Sequence, residues 1–222
     1  MNKVIYYSTI FLLFLGCNNA VKENNCTREA PLGDVTICFP KIEGQTECYT
    51  DPKIKELLSR FNDPSNTILG YYIDTEDYKK LDEITSIPDN NYYKIYIPYM
   101  SNNRKMTAVE MNQIMQMMTS GFIDRSLEGA SLSSSFFDKD FEITQPLILE
   151  KYVLDPESST TILLMGHPTN SEETAIAVSM SAILVQGKII FISHYLDFKD
   201  ESSISTLKNN TTQFISTFLE AN

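Results

Sequence analysis

The sequence predicts an α+β fold in which an antiparallel sheet is flanked by helices. Three features lead there. Strand-like and helix-like segments follow one another without the strict β-α-β alternation of a parallel sheet. Two apolar runs, 175–185 and 188–195, flank Gln186-Gly187, the mark of a tight hairpin whose glycine supplies a positive φ. The composition, 42% hydrophobic with 12 Tyr and 12 Phe, suffices for a sizeable core.

Taken in order, 35–39 (Val-Thr-Ile-Cys-Phe) reads as a strand, with a turn centred on Ile42-Glu43-Gly44 after it. Asp51-Pro52 is an N-cap followed by proline at the first helical position, and Ile54, Leu57, Leu58 and Phe61 then share one helical face. Segments 68–73 and 92–97 are rich in β-branched and aromatic residues and predict strands. Between them 75–84 predicts a short helix carrying Tyr78, Leu81 and Ile84. Thr107 and Glu110 form a capping box that opens a second helix, with Met111, Ile114, Met115, Met118 and Phe122 along one side. Strands at 147–153 and 160–165 are separated by the turn Asp155-Pro156-Glu157. In 175–185, Ile176, Val178, Met180, Ala182 and Leu184 alternate with Ala175, Ala177, Ser179 and Ser181, so the small-residue side predicts a closely packed helix. From Asp200 onward, Ile204, Leu207, Phe214, Ile215, Phe218 and Leu219 mark a terminal amphipathic helix.

The N-terminus reads differently from the rest. Lys3 precedes an apolar run, 4–15, which as a helix spans about 18 Å against a bilayer core of roughly 30 Å, so a cleaved export signal fits better than a membrane span. The run ends in Leu13-Phe14-Leu15-Gly16-Cys17, which resembles the lipobox of bacterial lipoproteins, with Phe14 where that family usually has leucine. The resemblance implies cleavage after residue 16, diacylglycerol on the Cys17 thiol and attachment to a membrane through that lipid. Asn18 and Asn19 do not supply the aspartate that often marks inner-membrane retention, so the expected location is the outer membrane of a bacterial cell envelope. The expected organisation is a signal peptide over 1–16, a lipidated flexible tether over 17–32 and one globular domain over 33–222. The order of elements across that domain is similar to the PsbP-like fold, a resemblance that implies a binding or assembly role more often than catalysis.

Charge and motif content narrow the function. The formal charge of −11 repels phosphate backbones, which argues against nucleic acid as a partner. No nucleophile elbow, Walker loop, dinucleotide fingerprint or His-Glu-x-x-His occurs, and no cofactor or resident metal is expected. The four cysteines are Cys17, Cys26, Cys38 and Cys48. A hairpin at Gly44 sets Cys38 opposite Cys48 as the expected disulfide, the alternative being three reduced thiols. His167, in Gly166-His167-Pro168 after a strand, is the residue on which a hydrolase would rest, and His194 reads as a surface or edge residue. The carboxylate pairs Asp138/Asp140 and Glu172/Glu173 read as solvated charges. The methionines near the second helix are read as core, with a soft-metal site as the alternative. The expectation is therefore a membrane-anchored envelope lipoprotein with a non-enzymatic binding or assembly domain and an envelope protein as partner. Its candidate contact surface is the strand bearing Tyr92, Tyr93, Tyr96 and Tyr99.

Overall fold

In a computed structural model, residues 25–60, 65–83, 91–101, 104–124, 146–168 and 173–222 are described. The elements are β1 (Cys26–Leu32), β2 (Val35–Pro40), β3 (Gln45–Glu47), α1 (Pro52–Ser59), β4 (Asn66–Asp74), α2 (Thr75–Lys79), β5 (Tyr92–Pro98), α3 (Ala108–Met118), β6 (Ile123–Asp124), β7 (Leu147–Tyr152), β8 (Ser158–Pro168), β9 (Glu173–Val185), β10 (Lys188–Asp197) and α4 (Glu201–Ala221). Eight strands form one sheet in the order β3-β4-β5-β10-β9-β8-β7-β6, while β1 and β2 pair with each other as a separate hairpin. Every pairing in the large sheet is antiparallel except β6 with β7. The protein is thus α+β with an antiparallel sheet flanked by helices, as its sequence predicts.

Local signals set the elements where they lie. Asp51 accepts a hydrogen bond from the Lys53 amide at the start of α1, and Thr107 with Glu110 closes the capping box of α3. Asp200 caps α4 by accepting from the Ser202 amide. The β9–β10 turn has Gln186 at φ 51° and Gly187 at φ 81°, the double positive φ of a two-residue hairpin loop.

Alternation along β9 and β10 divides the core between two faces. Ile183, Val185, Ile190 and Ile192 pack with Phe214, Ile215 and Phe218 of α4, and this layer also holds Leu32, Ile37 and Phe39 of the β1–β2 hairpin. Ala182, Leu184, Ile189 and Phe191 turn to the other side, against Met111 and Met115 of α3. Further along that second face, Ile54 and Leu58 of α1 cover Ile68, Tyr71 and Ile73. The small residues of β9 do face a helix, as expected: Ala177 packs with Ile204 and Leu207 of α4, and the Ser179 hydroxyl lies 2.8 Å from Thr211 Oγ1.

The structure corrects several expectations. β1 occupies 26–32, so that stretch is strand and not tether. Cys38 is bonded to Cys26, across the β1–β2 hairpin, and not to Cys48. The reason is register: β3 leaves the Gly44 turn to pair with β4, which carries Cys48 away from Cys38. Cys48 is a buried free thiol whose burial raises its pKa. The methionine alternative fails on packing, since Met111 and Met115 are buried among aliphatic and aromatic carbon and Met118 packs against the same cluster. The tyrosine strand is β5, interior to the sheet, so Tyr93 and Tyr96 are buried and of the four only Tyr99, just past the strand, is exposed.

Candidate functional site

His194 lies in the core of β10 and is fully buried, against the expectation of an edge residue. Its ring stacks on Tyr93 at 4.0 Å, and Tyr93 stacks in turn on Phe214 at 4.1 Å. His194 Nδ1 is 3.0 Å from Thr211 Oγ1, which links onward to Ser179, and Nε2 is 3.1 Å from Asn91 Oδ1. Both ring nitrogens are therefore satisfied while the ring stays neutral. Desolvation lowers its pKa from 6.5 to about 3. Such a group has little use as an acid or base near neutral pH, but it holds Asn91 in place from beneath. Asn91 itself has a left-handed backbone, φ 53°, a conformation that asparagine tolerates better than most residues.

Above Asn91 opens a cavity of about 170 Å³ walled by the β3 turn, the end of β4 and α4. Tyr93 and Phe214 lie at its apolar side, with Gln45, Asn91, Asn210 and Gln213 as amides and Glu43 and Asp74 as carboxylates. Gln45 is among them, and its Oε1 is buried with no donor among the described residues. Sequence reasoning passed over Asn91, Thr211 and Ser179 because single Asn, Ser and Thr residues carry no spacing signal. The one usable hint was the Asp89-Asn90-Asn91 run just before a strand, a turn sequence that tolerates positive φ.

A second feature lies on the opposite side of the sheet. Val109, Gln113 and Met117 follow one another at i, i+4 and i+8 on the outer side of α3, with Asn112 and Gln116 beside them, and all five are exposed. Val109 and Met117 are 67% and 69% exposed, although they are large and apolar. From Met111 to Ile123 the chain carries no charge at all, in a protein with 29 acidic and 18 basic residues. Depletion of charge with enrichment of methionine is the composition of an interface centre.

The residues singled out from sequence fall as follows. Cys17 lies outside the described residues, as do Asp138, Asp140 and Glu172. His167 is inside β8 and not in a loop, its backbone paired with Thr174 of β9, and its side chain is outside the described set. Glu173 opens β9. Among the described residues no helix is long and apolar enough to cross a membrane.

No protein-family model matches the chain, and no curated protein matches it. Among solved structures it is similar to the Ran-binding protein Mog1p of Saccharomyces cerevisiae, with 12% identity, a TM-score of 0.40 and coverage of 87% of this chain and 93% of that one. A mutant of the protein Mog1 is similar at 9% identity and a TM-score of 0.38, covering 87% and 94% of the two chains. The likenesses thus run to Mog1 structures, and not to the membrane-anchored envelope lipoprotein with a binding or assembly domain expected from the sequence, nor to its hydrolase and metal-binding alternatives.

Proposed function

We propose that the folded domain binds another protein through the outer side of α3. The observation that carries this is the uncharged row of Val109, Gln113 and Met117, whose two apolar side chains stand in water on a helix whose other side is fully engaged. An isolated exposed apolar residue needs no explanation, but here two stand on one uncharged row of a helix, with the Gln113 amide between them. The absence of charge fixes the partner's chemistry, because a basic or acidic contact surface would be left desolvated and unpaired here. The partner therefore presents an apolar, uncharged surface of its own.

The test places a photo-crosslinking residue at Gln113 and, as a control, at exposed Ser205 on α4, in cells that make the protein. The expected result is one reproducible adduct from Gln113, none from Ser205, and loss of the Gln113 adduct in Met117→Lys at unchanged thermal stability. Equal adducts from both positions, or an adduct indifferent to Met117→Lys, would remove the reading.

We infer separately that the chain is exported and that Cys17 is its point of lipid attachment, with the outer membrane as its location. The Lys3-to-Cys17 pattern supports this, and so does the Cys26–Cys38 disulfide, since such bonds persist in oxidising compartments. We also read the fold as PsbP-like, on the order of elements from β2 to α4. Fatty-acid labelling decides the lipid question: incorporation is expected in the natural chain and absent in Cys17→Ser, and incorporation that persists in Cys17→Ser would sink it.

A further inference from the structure

The cavity above Asn91 has features that the protein-binding surface does not use. It opens on the α4 side of the sheet, on the far side from α3, so its occupant is independent of that partner. At about 170 Å³ it is well below the several hundred Å³ of a drug-sized site, which limits the guest to a few heavy atoms.

The lining selects the charge of that guest. Among the described residues that wall it, Glu43 and Asp74 are the ionisable side chains apart from the Tyr93 phenol, and none is a lysine, arginine or histidine. Neither carboxylate has an ion-pair partner among the described residues. Asp74 spends one oxygen on the Glu76 amide at the start of α2. The other polar side chains of the lining, besides the Tyr93 phenol, are amides, which accept as well as donate, and one of them, Gln45, has a buried Oε1 with no donor among the described residues. Walls that combine negative charge with spare acceptors suit a group that is all donors and positively charged. The overall charge of −11 adds to the local field and concentrates cations at such an opening. The floor is rigid, because Asn91 is held by His194, and Tyr93 and Phe214 are locked into a stack, so the shape is formed before any guest arrives.

We propose that this cavity binds one small organic cation, a guanidinium or primary ammonium group, through Glu43, Asp74 and the surrounding amides. That chemistry has two sources, a free small amine or an arginine or lysine side chain of another protein, and the experiment separates them.

The full chain is titrated with methylguanidinium, with the isosteric but neutral N-methylurea, and with the peptide acetyl-Gly-Arg-Gly-amide, while the side-chain amide NMR signals of Gln45, Asn91, Asn210 and Gln213 are followed. Saturable shifts are expected with methylguanidinium and not with N-methylurea, and affinity should fall about tenfold in the double variant Glu43→Gln/Asp74→Asn. Asparagine caps a helix as well as aspartate, so α2 survives the change, and an unaltered backbone spectrum verifies the fold. Saturation by methylguanidinium without the peptide assigns the site to a free cation. Saturation by both assigns it to a side chain. Equal shifts from N-methylurea, no saturation by either cation, or full affinity in the double variant overturns the proposal.

Discussion

On the α4 side of the sheet, layers are fastened by directional bonds. Arg28 reaches from the β1–β2 hairpin to Glu47 with two hydrogen bonds of 2.9 Å, donates to the Leu69 carbonyl at 2.5 Å and lies over the Phe39 ring at 4.0 Å. Asn222 receives the Cys38 amide and donates to the Cys38 carbonyl, so its side chain acts as one more strand partner for β2. His194, Thr211 and Ser179 tie β10 and β9 to α4. On the α3 side, among the described residues, the helix itself is held by Met111, Met115 and other carbon contacts, apart from its caps and the Met106 amide just before it, which donates to the Gly187 carbonyl. Directional bonds have one good geometry, so the α4 side fixes register and orientation; thioether and aliphatic contacts have many near-equal ones, so the α3 side tolerates change. A cavity of fixed shape on the first side and a more adaptable helix face on the second follow from that difference.

The largest test of the contrast is Arg28→Met. Glu47 is 3% exposed and Arg28 17%, so removing the guanidinium strands a carboxylate that water cannot reach. A loss of about 3–5 kcal/mol in unfolding free energy is expected from denaturant titration. A loss below about 1 kcal/mol would mean the hairpin is held by its apolar contacts and the contrast between the faces is overstated.

Acid should act on the same side next. The pKa of His194 is depressed by burial to about 3, while an unfolded histidine titrates near 6.5. The unfolded chain therefore binds the extra proton between these values, and the neutral ring's contribution is complete above about 6.5 and declines as pH falls toward 3. The effect is on the order of a few kcal/mol and should be flattened over that window in His194→Gln, measured as stability against pH. An identical slope in both proteins would place the acid sensitivity in the carboxylates instead.

Much of the fold was legible, and the limits are physical. Helix starts at Asp51, Thr107 and Asp200 were readable because capping is local, needing only neighbouring residues. The Gln186-Gly187 hairpin was readable for the same reason. The strand β1 was not: Cys-Thr-Arg-Glu-Ala-Pro-Leu alternates weakly and includes a proline, and it becomes a strand through the disulfide and the Arg28 clamp, both long-range. Cys38 was assigned the wrong partner because the Gly44 turn predicts a bend without saying which strand receives the chain afterwards. His194 looked like an edge residue because alternation gives a side of the sheet but not the strand's place within it, and β10 lies near the middle. The cavity was illegible, since its walls come from segments 42–45, 74, 91–93 and 210–214 that only the tertiary fold assembles.

A smaller effect is expected at Gly70, where β4 bulges between Ile68 and Gly70. A β-carbon there would overlap the Phe39 ring and lie 3.1 Å from Ile95 Cδ1. Phe39 cannot retreat easily, because Arg28 covers one face of the ring and Phe218 meets it edge-on at 5.9 Å. Gly70→Ala should cost about 1–3 kcal/mol by thermal unfolding. A neutral result would show that the hairpin can shift outward, which the Arg28 clamp is said to prevent.

The smallest effect should come from the α3 side, and it is the one that gives the contrast its sharpest form. Met115 is buried against Ala182, Leu184, Ile189 and Phe191, with no polar atom to satisfy and no clamp to break. Leucine has nearly the same volume, and the neighbouring Met106, Met118 and Met180 are unbranched side chains that can re-pack around it. Met115→Leu should therefore change unfolding free energy by less than about 1.5 kcal/mol. Thr211→Val is the matched change on the α4 side: the shape is kept, but His194 Nδ1 and the Ser179 hydroxyl lose their shared partner in the core. That loss should cost about 1–3 kcal/mol, since each buried polar group left unpaired retains its full desolvation penalty. If the two variants lose equal stability, the faces differ in appearance only. If Thr211→Val loses clearly more, as expected, the adaptable helix face and the rigid cavity floor are two consequences of how the same sheet is covered.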